Sequence, residues 1–224
     1  MSATIFASDS DVVRIPKGID RMESFRAWVR TLGEQAPRVH FSHGEVWIDM
    51  SPQDYFRHLS PVAAINARLT LLADELDLGR YHPDGGWLTN EEVGLSTEPD
   101  GFLVLWDTFA GGAARWVERE GDKGPIELLG RGDMVLEVVS DTSAHKDRVE
   151  LLRDYAAVGF LEYWLVDARH EKLEFQLLQL AGGSYQETPA DPEGWLSSAV
   201  WGRSFKLEAG SDRLGQPRFR LHVR

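Results

Sequence analysis

Glu137 lies in the run MVLEVV, residues 134–139, where every other side chain is apolar. A carboxylate there loses its hydration, at a cost of several kcal/mol, unless a cation or hydrogen bonds replace the water. Asp100 follows Pro99 and precedes the apolar stretch FLVLW, residues 102–106, which places it at the start of a strand. Pairing of neighbouring strands would bring it beside Glu137, and two carboxylates at ~4 Å repel strongly away from bulk water. Two arrangements relieve that repulsion: a buried ion pair with an arginine, or a hard divalent cation. Mg²⁺ or Mn²⁺ would take both carboxylates and the backbone carbonyl of Val138, and would keep waters in an open octahedron. A water held there is a nucleophile suited to an attack on phosphorus.

The elements that must position this pair follow from periodicity. Residues 20–32 predict a helix, with Asp20 and Glu23 as a capping-box start, Met22, Phe25, Val29 and Leu32 at helical spacing, and Gly33 as its stop. Residues 38–41 and 45–50 predict a hairpin turning at His43-Gly44. A second helix is expected from Ser60 as N-cap and Pro61 at the first position, with Val62, Ile65, Leu69, Leu72 and Leu76 on one face before Gly79. Strands are expected at 87–93, 102–106 and 134–139, then a helix over 147–158 stopped by Gly159, then a strand over 161–166. Residues 173–177 alternate as a strand with one wet face does, and 109–124 read as an inserted loop. The fold class expected is α/β: a core of helix, three strands, helix and strand, preceded by a helix and hairpin and followed by further strands.

With 224 residues, 42% hydrophobic and 27% charged, one domain with a packed core is expected. Residues 1–19 are expected to be loosely ordered, 39–180 to form the core, and 181–224 to form a strand extension. The absence of cysteine excludes disulfides, thiolate zinc sites and cysteine nucleophiles. No apolar run approaches the ~20 residues of a spanning helix, and the first residues lack a basic start followed by an apolar block, so a cytoplasmic protein without membrane association is expected. The net charge of -12 argues against an open basic surface for nucleic acid. Residues 203–224 depart from that balance, with six cations against two carboxylates; they suit either phosphate contacts or a charged edge strand. His40 and His43 are expected to be exposed, and His58 either reaches the site mouth or packs locally. No HExxH, GxSxG or phosphate-binding glycine loop is present.

Residues 84–106, DGGWLTNEEVGLSTEPDGFLVLW, and 133–167, DMVLEVVSDTSAHKDRVELLRDYAAVGFLEYWLVD, resemble the Uma-two-type family of restriction endonucleases, part of the PD-(D/E)xK nuclease superfamily. The resemblance implies a restriction-endonuclease-like core, DNA as the partner, and a Mg²⁺- or Mn²⁺-dependent hydrolase whose metal ligands are Asp100, Glu137 and the Val138 carbonyl. It also implies an assisting role for Glu45. The superfamily's lysine falls here at Val139, or, where it has moved to the next helix, at Leu151, so neither position supplies an ammonium. Lys146 and Arg148 are the nearby cations that could replace it; Arg148 would stabilise charge but not act as a base. The alternative is a catalytically degenerate member that keeps the fold as a nucleic-acid or protein interaction module. A homodimer is expected by analogy, since cutting two strands takes two sites or two events.

Overall fold

The computed structural model describes residues 4–6, 12–32, 37–49, 52–118 and 124–224. Strands β1 (Thr4–Phe6) and β2 (Val12–Arg14) pair antiparallel, and helix α1 (Met22–Val29) follows. The helix starts at Arg21 without a side-chain cap, so the capping box expected from Asp20 and Glu23 does not form; Gly33 lies outside the described residues. Strands β3 (Arg38–Ser42) and β4 (Glu45–Asp49) make the expected hairpin. His43 and Gly44 both have positive φ, 49° and 86°, the conformation that a two-residue turn needs to match strand twist.

The second helix starts earlier than its sequence suggests. A π-helical turn, Tyr55–Leu59, runs directly into α2 (Ser60–Leu76). The cap is Asp54, whose Oδ1 accepts from the Phe56 and Arg57 amides at 2.8 Å, and not Ser60. The wide turn immediately precedes Pro61, which has no N–H to give the ladder. The helix ends at Asp77 in the left-handed region, φ 46°.

Gly79, expected to follow the helix as its boundary, instead opens a strand. Strands β5 (Gly79–Pro83), β6 (Trp87–Asn90), β7 (Leu95–Thr97) and β8 (Gly101–Leu105) follow in turn. A Cβ on Gly79 would lie 2.1 Å from the Val104 carbonyl oxygen, so only glycine allows this approach. The expected loop at 109–124 carries part of helix α3 (Trp106–Ala110) and strand β9 (Ala114–Trp116). Then come β10 (Glu127–Gly130), β11 (Met134–Val138), a π-helical turn at Lys146–Glu150 leading into α4 (Leu151–Val158), and β12 (Glu162–Asp167). The chain finishes with β13 (Glu174–Ala181), β14 (Ser184–Glu187), β15 (Leu196–Ser198), β16 (Arg203–Ser211) and β17 (Pro217–Val223).

The central sheet has the order β14-β13-β12-β11-β8-β5, with β11 and β12 parallel and its other pairs antiparallel. Its core sequence is α2, β5, β8, β11, α4, β12, the expected helix, three strands, helix, strand. The first of the three strands is β5, however. The run expected at 87–93 supplies β6, which joins a second sheet of order β4-β3-β7-β6-β10-β9. Short polar β5 is an edge strand ending in proline, and so carries little apolar signal.

One face of the central sheet packs on α2, which is covered in turn by β15–β17 through Phe205, Leu207, Phe219 and Leu221. The basic C-terminal strands therefore contribute apolar side chains to a core. The opposite face packs against α4 and the second sheet through Val104, Val135, Leu151, Tyr155 and Leu88. No helix among the described residues is long and apolar enough to cross a membrane.

Candidate active site

In the ladder between β8 and β11, Leu136 stands opposite Gly101, and continuing that register sets Glu137 opposite Asp100. Both side chains belong to the face that looks toward α4, in step with Phe102 and Val104 on one strand and Val135 and Val139 on the other. Asp100 is 3% exposed and Glu137 4%. They line one cleft of about 470 Å³ between the central sheet, the β3–β4 hairpin and the start of α4.

Asp100 is densely held. Its Oδ2 accepts from the Val138 amide at 2.7 Å, and its Oδ1 accepts from Arg38 Nη1 at 3.2 Å. His58 Nε2 lies 3.5 Å from Oδ2, so this histidine reaches the site. Arg38 also grips Asp84 at 2.6 Å. The Asp100 carbonyl accepts from Asn66 Nδ2, whose Oδ1 accepts from Tyr81, fixing the β8 start to α2 and β5. Burial pushes the Asp100 pKa up, but His58, the Val138 amide and Arg38 outweigh it and hold the carboxyl below its ordinary value.

Glu137 is treated differently by its surroundings. Its Oε1 accepts from the Tyr155 hydroxyl at 2.6 Å, and no ion pair among the described residues reaches it. Burial first, then Asp100 and Asp147, lift its pKa well above the carboxylate range. The arginine ion pair weighed from sequence is thus present for Asp100 and absent for Glu137. Two unlike carboxylates, one ionised and one driven to keep its proton, are what a buried acid pair becomes without a second charge to share.

Lys146 lines the same cleft, with Nζ 3.6 Å from Asp147 Oδ1. Burial works against its charge, yet Asp147, Glu137 and Asp100 outweigh that penalty and raise its pKa. Arg148 points elsewhere: its Nη2 donates to Asp167 at 2.8 Å and to Glu174 at 2.6 Å, away from the cleft. Its position in the helical turn, two residues beyond Lys146, turns it to the β12–β13 side. Glu45 is exposed at the hairpin turn, and the cleft is lined instead by Trp47, Ile48 and Asp49 of its strand. The structure therefore brings Asp100, Glu137, Val138 and Lys146 together and leaves Arg148 and Glu45 outside.

Val139 and Leu151, where the sequence lacks a lysine, are both fully buried in the apolar cluster that holds Tyr155. Several cleft residues escaped the sequence reading. Asp147 is 1% exposed; its Oδ2 accepts from the Ser143 hydroxyl while Oδ1 has no hydrogen-bond donor, and burial raises its pKa to about 6. It stood in the first turn of an expected helix, where an acid is ordinary. Glu98 also lines the cleft, with its pKa raised by burial. His40, expected on the surface, is 5% exposed with both ring nitrogens unpartnered, and burial, with Lys146 adding to it, lowers its pKa to about 3.

The donor chemistry suits a hard cation. Two carboxylates converge with the Val138 main chain, whose carbonyl projects to the same strand edge as the amide that Asp100 accepts from. Among the described residues no three His, Asp or Glu side chains are grouped to hold a metal unaided, so the main-chain oxygen and waters would complete the set.

Residues 22–208 match the family described as "Uma2: Putative restriction endonuclease". This chain belongs to the Uma2 family. The crystal structure of "a putative nuclease belonging to DUF820 from Anabaena variabilis ATCC 29413" shares its fold at a TM-score of 0.60. The two are 14% identical over 81% of this chain and 90% of that one. No curated protein matches this chain. Family and neighbour agree with the restriction-endonuclease-like core that the α2–β5–β8–β11–α4–β12 order displays.

Proposed function

We propose that this Uma2 member is a metal-dependent endonuclease that hydrolyses phosphodiester bonds of DNA. The observation that carries the reading is the facing of Asp100 and Glu137 across β8 and β11, buried in one cleft with the Lys146 ammonium. Asp100, Glu137 and the Val138 carbonyl would hold Mg²⁺ or Mn²⁺, which supplies an activated water and neutralises charge at phosphorus. Tyr155 orients Glu137 through its hydroxyl, and Arg38 with His58 fixes Asp100. Lys146, kept protonated by its carboxylate neighbours, stabilises the charge that develops on the phosphoryl oxygens and is not a base. The cytoplasm as location and a two-fold dimer as assembly belong to the same proposal.

Plasmid nicking in Mg²⁺ and in Mn²⁺ tests it, with wild type compared against Asp100→Ala, Glu137→Ala and Lys146→Ala. Equal rates for wild type and Asp100→Ala would sink the hydrolytic reading. A second reading, a degenerate member that binds metal without cleaving and serves as a nucleic-acid or protein interaction module, is favoured by the burial of Val139 and Leu151 in apolar packing. Calorimetric titration of Mg²⁺ or Mn²⁺ into a protein that does not nick supports that reading if heat of binding depends on Asp100, and removes its retained site if none is seen.

A further inference from the structure

The hairpin that roofs the cleft carries a feature that metal binding leaves unexplained. In the β3–β4 register His40 stands directly opposite Trp47, so the two side chains share one face with Cβ atoms about 4.5–5.5 Å apart. Both line the cleft that holds Asp100 and Glu137. Trp47 is 39% exposed, a large indole held against solvent where burial would be favourable. His40 is nine-tenths buried at its side, and neither ring nitrogen has a partner. A buried imidazole without hydrogen bonds costs free energy that a ligand able to bond it would recover.

An aromatic face beside an unanswered ring donor and acceptor fits a flat heteroaromatic ring that stacks and hydrogen-bonds at once. The cleft, about 470 Å³, accommodates a group the size of one nucleotide and not a stacked duplex. The net charge of -12 offers duplex phosphates no long-range attraction, so affinity has to come from local contacts such as stacking. Arg57 also lines the cleft, is exposed, and can meet a single phosphate chain, while Arg169 beside it is held by Asp167.

We propose that Trp47 and His40 form a base subsite beside the carboxylate pair, which takes one unpaired nucleobase of a single strand. The inference rests on the hydrolytic reading above for the identity of its substrate as nucleic acid. It makes the substrate an unpaired stretch and not an intact duplex.

The test is fluorescence anisotropy with a fluorescein-labelled twelve-nucleotide single strand, a hairpin duplex of the same sequence, and a strand of abasic sites. It is run at 4 °C in EDTA, where no strand is cut, on wild type, Trp47→Ala and Trp47→Phe, each checked for an unchanged melting curve. The single strand is expected to bind wild type at least about fivefold tighter than the duplex. Trp47→Ala loses that margin, because stacking on an aromatic is worth roughly that factor or more. Trp47→Phe keeps most of it, and the abasic strand binds wild type and Trp47→Ala alike. No measurable binding of the strand, equal binding of strand and duplex, or unchanged strand binding by Trp47→Ala overturns the subsite. Nicking separates the two readings. Cleavage that needs Asp100 but is indifferent to Trp47→Ala removes the subsite and leaves hydrolysis standing. A Trp47-dependent strand preference in a protein that never cleaves keeps the subsite and removes hydrolysis.

Discussion

The Tyr155 hydroxyl donates a 2.6 Å hydrogen bond to Glu137 Oε1, and both residues are buried, so α4 sets the position of a carboxylate on β11. That bond favours the ionised carboxylate against the burial that opposes it. Tyr155→Phe is expected to cost about 1–3 kcal/mol of unfolding free energy, read from urea melts. It should also weaken Mn²⁺ binding at pH 7 by calorimetry, with the deficit narrowing as pH rises and Glu137 ionises without help.

Leu151 sits one helical turn before Tyr155, on the same face, and so within reach of Glu137 for a longer side chain. Leu151→Lys would return an ammonium to the acid pair. A polar substitution in an apolar cluster should lower stability by about 2–4 kcal/mol. Nicking in Mg²⁺ should nevertheless rise at least about tenfold, since a positioned cation near phosphorus contributes on that scale or above. A stable, folded Leu151→Lys protein that nicks no faster than wild type would mean that Lys146 already supplies the charge the site needs.

The pH dependence has a definite sign. Glu137 and Asp147 both have raised pKa values in the folded protein, Asp147 to about 6 from 3.8, with burial the largest cause for each. Their stabilising contribution is complete below the ordinary carboxylate value; that of Asp147 is lost as pH rises through about 6, and that of Glu137 as pH rises through its own raised pKa. In metal-free buffer these two groups should make Tm fall between pH 5 and pH 8, and Asp147→Asn should flatten that fall. Mg²⁺ or Mn²⁺ needs Glu137 ionised, so the rise in Tm on adding metal should be larger at pH 8 than at pH 5. Thermal melts across that range with and without metal check both signs.

Arg148 is bonded to Asp167 and Glu174, away from the acid pair. Arg148→Ala should leave the nicking rate within about twofold of wild type and cost about 1 kcal/mol in a chemical melt, because the pair is partly exposed. Lys146→Ala, at the same helical turn, should lower the rate at least about tenfold. The reverse order of effects would return the lysine's role to Arg148.

Much of the fold was legible because it is written in periodicity. The glycine turn of the hairpin, the apolar face of α2 and the buried run of β11 each carry a local signal, and their elements formed where that signal lay. Strand β5 was hidden: an edge strand has few buried side chains, and Gly79 reads as a helix boundary until the close passage of Val104 shows why it must be glycine. Asp54 displaced Ser60 as the cap because a π turn extends the helix backward, an outcome that local residue preference does not encode.

For the site, the sequence alone determined that Glu137 was costly and needed an explanation, since a carboxylate inside an apolar run is anomalous wherever the strand goes, and that Asp100 stands at the start of another strand. It also determined that no lysine stands at Val139 or Leu151. Only the tertiary structure decided which side chains answer the pair. Arg38, His58, and the pair Asp147 and Tyr155 come from three separate segments, and their convergence depends on the β8–β11 register and on how α4 and the hairpin pack over one sheet face. The same packing separated Lys146 from Arg148. Two cations in one helical turn are equivalent by spacing but project toward different neighbours, and only the cleft's walls determine which of them meets the carboxylates.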